Sequence, residues 1–256
     1  MRGDLFHCPG DHPLNPKIFF ATVAAAALTA TVSNAVIIIP STADIFLASQ
    51  PTGTTITGYF GSDSAPANSP VEFSVGAGAT VTEVATGSTS VDDFCFAGPD
   101  GGCYSDESSF SAAPASGTYK GPSNALIGVF LGAGVTDVSM GPASLDYTVA
   151  ANTDLVSQSP ALDQIFFLGD GLTSGNVTQQ FIAPSGATRL FLAAADSYGS
   201  STGNLGYLSV DITGATYVSG GGTVPEPATW ALMGLGFGAA GALLRRKARG
   251  PVPAAV

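Results

Sequence analysis

Positive charge is nearly missing from the middle of this chain. Between Val36 and Gly222 only Lys120 and Arg189 are basic, against thirteen Asp and three Glu, a net charge of −14. A body this acidic repels phosphate backbones, which excludes nucleic acid as a partner. Histidine is missing from it as well: His7 and His12 both lie near the N-terminus. That removes Ser-His-Asp and Cys-His nucleophilic arrangements and His-ligated zinc or iron. Neither a P-loop nor a dinucleotide fingerprint occurs. Cysteine is scarce, with Cys8, Cys95 and Cys103 making up the set. Two body cysteines without histidine are too few ligands for zinc. Charged residues are 11% of the 256, and 45% are apolar. The first figure suits a membrane protein or a loop-rich secreted β-protein, and the second excludes wholesale disorder.

What is present begins at the N-terminus. Lys17 precedes the apolar run Ile18 to Leu28, and Ser33-Asn34-Ala35 follows. A basic residue, an apolar stretch and small residues at a cleavage point read as a signal peptide over residues 1–35, cut after Ala35. A retained N-terminal anchor is the alternative. Cys8 would leave with the signal peptide. Cys95 and Cys103 then form an even pair in an oxidising compartment, and a Cys95–Cys103 disulfide would close a small loop over Phe96 to Gly102.

Residues 36–212 form the body. After Ile37 to Thr42, short apolar or alternating runs recur at Val71–Val75, Val81–Val84, Leu126–Leu131, Leu145–Val149, Gln164–Leu168, Val177–Ile182, Arg189–Ala194 and Tyr207–Ile212. They are rich in β-branched and aromatic residues, with turn chemistry between them. No stretch shows a 3.6-residue apolar period flanked by caps. The pattern predicts an all-β protein, an antiparallel β-sandwich or jelly roll. Leu126–Leu131 is continuously apolar, as in a strand buried on both faces. Thr86 to Pro122 is polar and Gly-rich and reads as a long excursion from the sheet. Residues 213–223, with Gly220-Gly221-Gly222, read as a flexible linker.

The C-terminal stretch has three parts in order. Val224-Pro225-Glu226-Pro227 is a stiff turn, Trp230 to Leu244 is apolar and uncharged, and Arg245, Arg246, Lys247 and Arg249 are basic. Residues 228–244 read as a short transmembrane helix, and the basic residues belong on the cytoplasmic side with 250–256. This order resembles the PEP-CTERM sorting signal of Gram-negative bacteria, with Pro225, Glu226, Pro227, Arg245, Arg246 and Lys247 as the sorting motif. The resemblance implies export across the inner membrane and anchoring through the C-terminal helix. It also implies processing by an exosortase-type membrane protease, then display at the cell surface or release outside.

One stretch of the body suggests binding chemistry. Arg189 to Ile212 reads as strand, acidic loop, strand, with Asp196, Ser197, Ser200, Ser201 and Asn204 in the loop. Oxygen donors on a Gly-bearing loop suit Ca²⁺. The segment resembles the final hairpin of small bacterial galactophilic lectins, which are calcium-dependent β-sandwiches. That resemblance implies Ca²⁺ held by the Val91 carbonyl, Asp196, Ser200 and Asn204, and sugar contacts from Asp196 and Asn204. Gly203 stands where the family has a second Asn, and its sugar-binding His has no counterpart. The function expected from these readings is an exported, non-catalytic envelope or extracellular-matrix protein with lectin-like contact to exopolysaccharide or other glycans. The alternative is a secreted, carboxylate-dependent carbohydrate-active enzyme. Two acidic side chains facing one cleft would favour the enzyme, and an oxygen cluster at the hairpin tip the binding protein.

Overall fold

The computed structural model describes residues 36–91, 94–102 and 119–218. The signal peptide with its Ala35 cleavage point, Cys103 and the sorting tail lie outside the described residues. So does the expected membrane helix 228–244. Among the described residues no helix is long and apolar enough to cross a membrane.

The described residues are all-β. Their twelve strands are numbered in chain order, and ten of them form two five-stranded sheets. The first runs β1 (Ile37–Pro40), β11 (Leu205–Thr213), β5 (Thr80–Ser90), β9 (Gln180–Ile182), β7 (Ser157–Gln158). The second runs β12 (Thr216–Tyr217), β4 (Val71–Ser74), β10 (Arg189–Ala194), β6 (Leu126–Leu131), β8 (Ile165–Phe167). Pairing is antiparallel except between β7 and β9. A separate hairpin joins β2 (Thr55–Thr57) to β3 (Ser62–Ser64). Leaving that hairpin aside, each strand in chain order lies in the opposite sheet from the one before it. No two sequence neighbours are therefore sheet neighbours.

One apolar cluster draws side chains from both sheets, so the sheets pack as a sandwich. Phe130 of β6 stacks on Phe166 of β8 at 5.1 Å, and Phe166 meets Phe181 of β9, in the other sheet, at 5.5 Å. Each fully buried Phe, Leu or Ile contributes roughly 1.5–3 kcal/mol relative to exposure. Every residue of β6 is buried, as its continuous apolar run predicts. The 3-10 helix Ile45–Leu47 packs on β6 and β10 with all three residues buried, covering a face that would otherwise demand polar residues. β5 and β11 have a solvated face and alternate accordingly.

Three expectations need correction. β5 continues to Ser90, so the excursion expected from Thr86 starts later. Its Thr and Ser residues read as loop, but β11 pairs with it from Thr82 through Ser90 and satisfies its backbone. The Leu145–Val149 run is not a strand. Asp146 makes one isolated bridge to Lys120, and the helical turn α1 (Ala150–Thr153) follows. The Asp146 carboxylate accepts from the Thr148 N–H at 3.1 Å, and Asn152 Nδ2 donates to the Asp146 carbonyl at 2.8 Å. These local side-chain bonds outcompete a ladder. Finally, the expected linker starts too early, because β11 reaches Thr213 and β12 pairs with β4.

Candidate functional site

The β10–β11 loop, at one end of the sandwich, carries the residues expected to bind. Asp196 and Asn204 do come together: Asn204 Nδ2 donates to Asp196 Oδ2 at 2.8 Å and to the Ser41 carbonyl at 3.2 Å. The Ser197 N–H donates to Asp196 Oδ1 at 2.6 Å. Burial pushes the Asp196 carboxyl up to about 6; the Asn204 amide and Ser197 N–H oppose the rise, and the charge of Asp63 adds to it. Val91 follows directly on Ser90, whose ladder partner Leu205 follows Asn204, so the chain brings its carbonyl to the same end of the sandwich. Ser200 is directed elsewhere, with its hydroxyl donating to the Tyr198 carbonyl at 3.3 Å.

Two carboxylates that the sequence reading passed over complete this region. Asp44 caps the 3-10 helix Ile45–Leu47 through the Phe46 N–H at 2.8 Å and accepts the Gly199 N–H at 2.9 Å. Asp63, on β3, accepts the Ser201 N–H at 2.7 Å and the Thr202 hydroxyl. Both are buried. Burial drives the Asp44 carboxyl well above the usual carboxylate range, and its hydrogen bond to Asp63 raises it further. The buried Asp44 and Asp63 thus strap the loop to the helix and to the β2–β3 hairpin, while the half-buried Asp196 ties the loop to itself. The fit is tight enough to require glycine: a Cβ on Gly58 would stand 1.7 Å from the Tyr198 carbonyl oxygen. The signal available in the sequence was the Asp44-Ile45-Phe46 cap and the Asp63 within a hydroxyl-rich segment, and neither announces a partner more than 130 residues away.

As a cation site the arrangement fits in part. Asn204 Oδ1 is buried with no hydrogen-bond partner, an oxygen a Ca²⁺ would satisfy. Among the described residues no three His, Cys, Asp or Glu side chains are arranged to hold a metal. A cation at Asp196 and Asn204 would therefore rest on one carboxylate and neutral oxygens.

A second acidic region lies elsewhere. A cleft of about 650 Å³ is lined by Asp100, Asp154 and Asp170, with Tyr147, Phe167 and Thr173. Asp100 Oδ1 accepts the Asp170 N–H at 2.9 Å, and Asp154 Oδ1 accepts the Ser174 N–H at 2.5 Å. Burial lifts the Asp100 carboxyl above its ordinary value; the Asp170 N–H opposes this and the Asp170 charge adds to it. Glu83 is buried against Gly171 with neither carboxyl oxygen hydrogen-bonded. Burial first, then the charges of Asp170 and Asp100, push it well up. The two basic residues of the body are occupied by other partners. Lys120 pairs with Asp146, and Arg189 donates to the Gly132 and Gly134 carbonyls.

Comparison with known families matches residues 223–247 to the PEP-CTERM protein-sorting motif. No curated protein matches the chain. The motif spans Pro225-Glu226-Pro227, the apolar segment and Arg245 to Lys247. It marks the chain as an exported protein with a membrane-anchored sorting signal, processed by exosortase, a membrane protease.

Proposed function

From the sorting motif at residues 223–247 we infer that the β-body is cargo for the cell envelope or the extracellular matrix, and we propose that it acts there by binding glycans without catalysis. The motif is the observation that carries the reading, because it names a destination where polysaccharide is the abundant partner. The body supports it in composition, since an acidic sandwich without histidine lacks the usual nucleophile–base pairs. Its strand order, β1-β11-β5-β9 facing β4-β10-β6-β8 with β7 and β12 added at the edges, is that of a jelly roll. Lectin domains are among the proteins built that way, which supports glycan binding by analogy. Ca²⁺ at Asp196, Asn204 and the Val91 carbonyl belongs to the proposal through the orphaned Asn204 Oδ1. Cys95 is disulfide-bonded, and we assign Cys103 as its partner.

Cell fractionation tests the destination. Changing Arg245, Arg246 and Lys247 to Ala should leave the protein mislocalised, and unchanged surface display would contradict the sorting reading. Calorimetry with Ca²⁺, followed by a glycan array with and without chelator, tests the body. Unfolding at the same temperature with and without Ca²⁺ sinks the cation, and an array without signal sinks the glycan.

A second reading has one observation in its favour: Asp100, Asp154 and Asp170 line a single cleft. A carboxylate-dependent glycosidase works with a pair of acidic side chains facing one cleft. Against it, Asp100 and Asp154 each accept a backbone N–H from a neighbouring loop, a structural use of the carboxylate. Release of reducing sugar from polysaccharide, abolished in Asp100→Asn, would establish the enzyme over the binding protein.

A further inference from the structure

Tyr59 and Phe60 form the tip of the β2–β3 hairpin, between Gly58 and Gly61, and are 87% and 73% exposed. Their rings meet edge to face, 4.8 Å between centroids and 83° between planes. Rings this open gain little from burial in the fold, so the core does not account for them. The hairpin beneath them is held firmly. Asp63 anchors it to the β10–β11 loop, Ile56 packs against the core, and the Thr57 and Ser62 hydroxyls bond at 2.9 Å. Gly58 packs on the Tyr198 carbonyl, a contact no larger residue would allow. The pair is presented on a stiff mount, which lowers the entropy lost when a ligand binds.

The chemistry around the rings is uncharged. From Gly53 to Ser64 the only ionisable side chain besides the Tyr59 phenol is the carboxylate of Asp63, fully buried. The rest of the rim is hydroxyl: Thr55, Thr57 and Ser62 on the hairpin and Thr202 on the adjoining loop. Aromatic faces with hydroxyls and no charge match a sugar ring, which offers apolar C–H faces edged by hydroxyls. Two rings supply on the order of 400 Å² at most, well under the ~800 Å² per partner of a stable protein interface. An anionic bilayer would be repelled by a body carrying −14. A polymer of repeating neutral sugars has neither difficulty, because weak contacts recur along its length. We propose that Tyr59 and Phe60 are a stacking platform for a neutral polysaccharide chain. The assignment rests on the glycan reading above and adds the binding surface and the charge class of the ligand. It places the contact on the hairpin rather than at Asp196 and Asn204.

The test is native electrophoresis of the full chain in non-ionic detergent, through gels containing hydroxyethyl cellulose or galactomannan. Wild type should be retarded in at least one gel. Tyr59→Ala with Phe60→Ala should weaken that retardation at least tenfold, with an unfolding midpoint equal to wild type. Phe60→Tyr should keep it. A double variant retarded like wild type overturns the platform and leaves the glycan reading standing. Loss in Asp196→Asn alone would then move the contact to the loop. If wild type is retarded in neither gel, platform and glycan reading both fail. Co-sedimentation with phosphatidylglycerol vesicles, lost in the double variant, would in that case make the tip a membrane contact.

Discussion

Asp44 and Asp63 are buried and Asp196 is half-buried at one end of the sandwich, and Glu83 is buried near Asp100 and Asp170, which line the cleft. The two settings place carboxyl groups in similarly dry surroundings. At the first, the chain supplies the Phe46, Gly199, Ser201 and Ser197 N–H groups as donors. At the second, Glu83 receives none, and its nearest ionisable neighbours are acids. Burial alone therefore does not say what a carboxylate contributes. With donors it joins a helix cap, a hairpin and a loop into one rigid end. Without donors it is a cost the fold tolerates.

The largest effect that could break this contrast is at Asp63. Asp63→Ala leaves the Ser201 N–H and Thr202 hydroxyl without their acceptor, and should cost about 3 kcal/mol in denaturant unfolding. No loss would mean that the straps are incidental. The pH dependence comes next. Asp196 is raised from 3.8 to about 6, so the folded state holds that proton more tightly than the unfolded chain. The stability it contributes is complete below about pH 4 and is lost as pH rises through about 6. Asp44 acts in the same direction. The thermal midpoint should fall across that window, and Asp196→Asn should remove roughly 3 kcal/mol of the fall. A midpoint that rises instead would reverse the assignment.

Glu83→Met is expected to stabilise by about 1 kcal/mol, since it removes a buried group with no hydrogen bonds. Destabilisation would show that its oxygens have a partner, and the contrast would collapse. The smallest effect belongs to the exposed pair. Lys120 and Asp146 have side chains 43% and 37% exposed. The Lys120 hydrogen bond, then that from Thr148, lowers the Asp146 carboxyl. Lys120→Met should raise the Asp146 titration in NMR while leaving the unfolding midpoint where it was.

Parts of this were legible from local pattern. The uninterrupted run Leu126–Leu131 announced a strand buried on both faces, and Asp196 with Asn204, eight residues apart, announced a polar loop that does close on itself. Asp44 and Asp63 were not legible as members of that region. Their partners at Gly199 and Ser201 lie 155 and 138 residues along the chain. Leu145–Val149 misled for the opposite reason, because its alternation was real but the bonds made by Asp146 and Asn152 bent the backbone away from a strand. The cleft left no trace in the sequence, since Asp100, Asp154 and Asp170 sit in three separate loops.

By itself the sequence determined the address, the β class and the absence of histidine chemistry from the body. Each of these depends on residue type and order within one short window, or on composition. Tertiary structure alone decided which acids share an environment, which of them find donors, and that two aromatic rings stand on a hairpin braced from below. The reason is topological. Successive sandwich strands lie in opposite sheets, so the neighbours that bury a side chain or satisfy it come from distant parts of the chain.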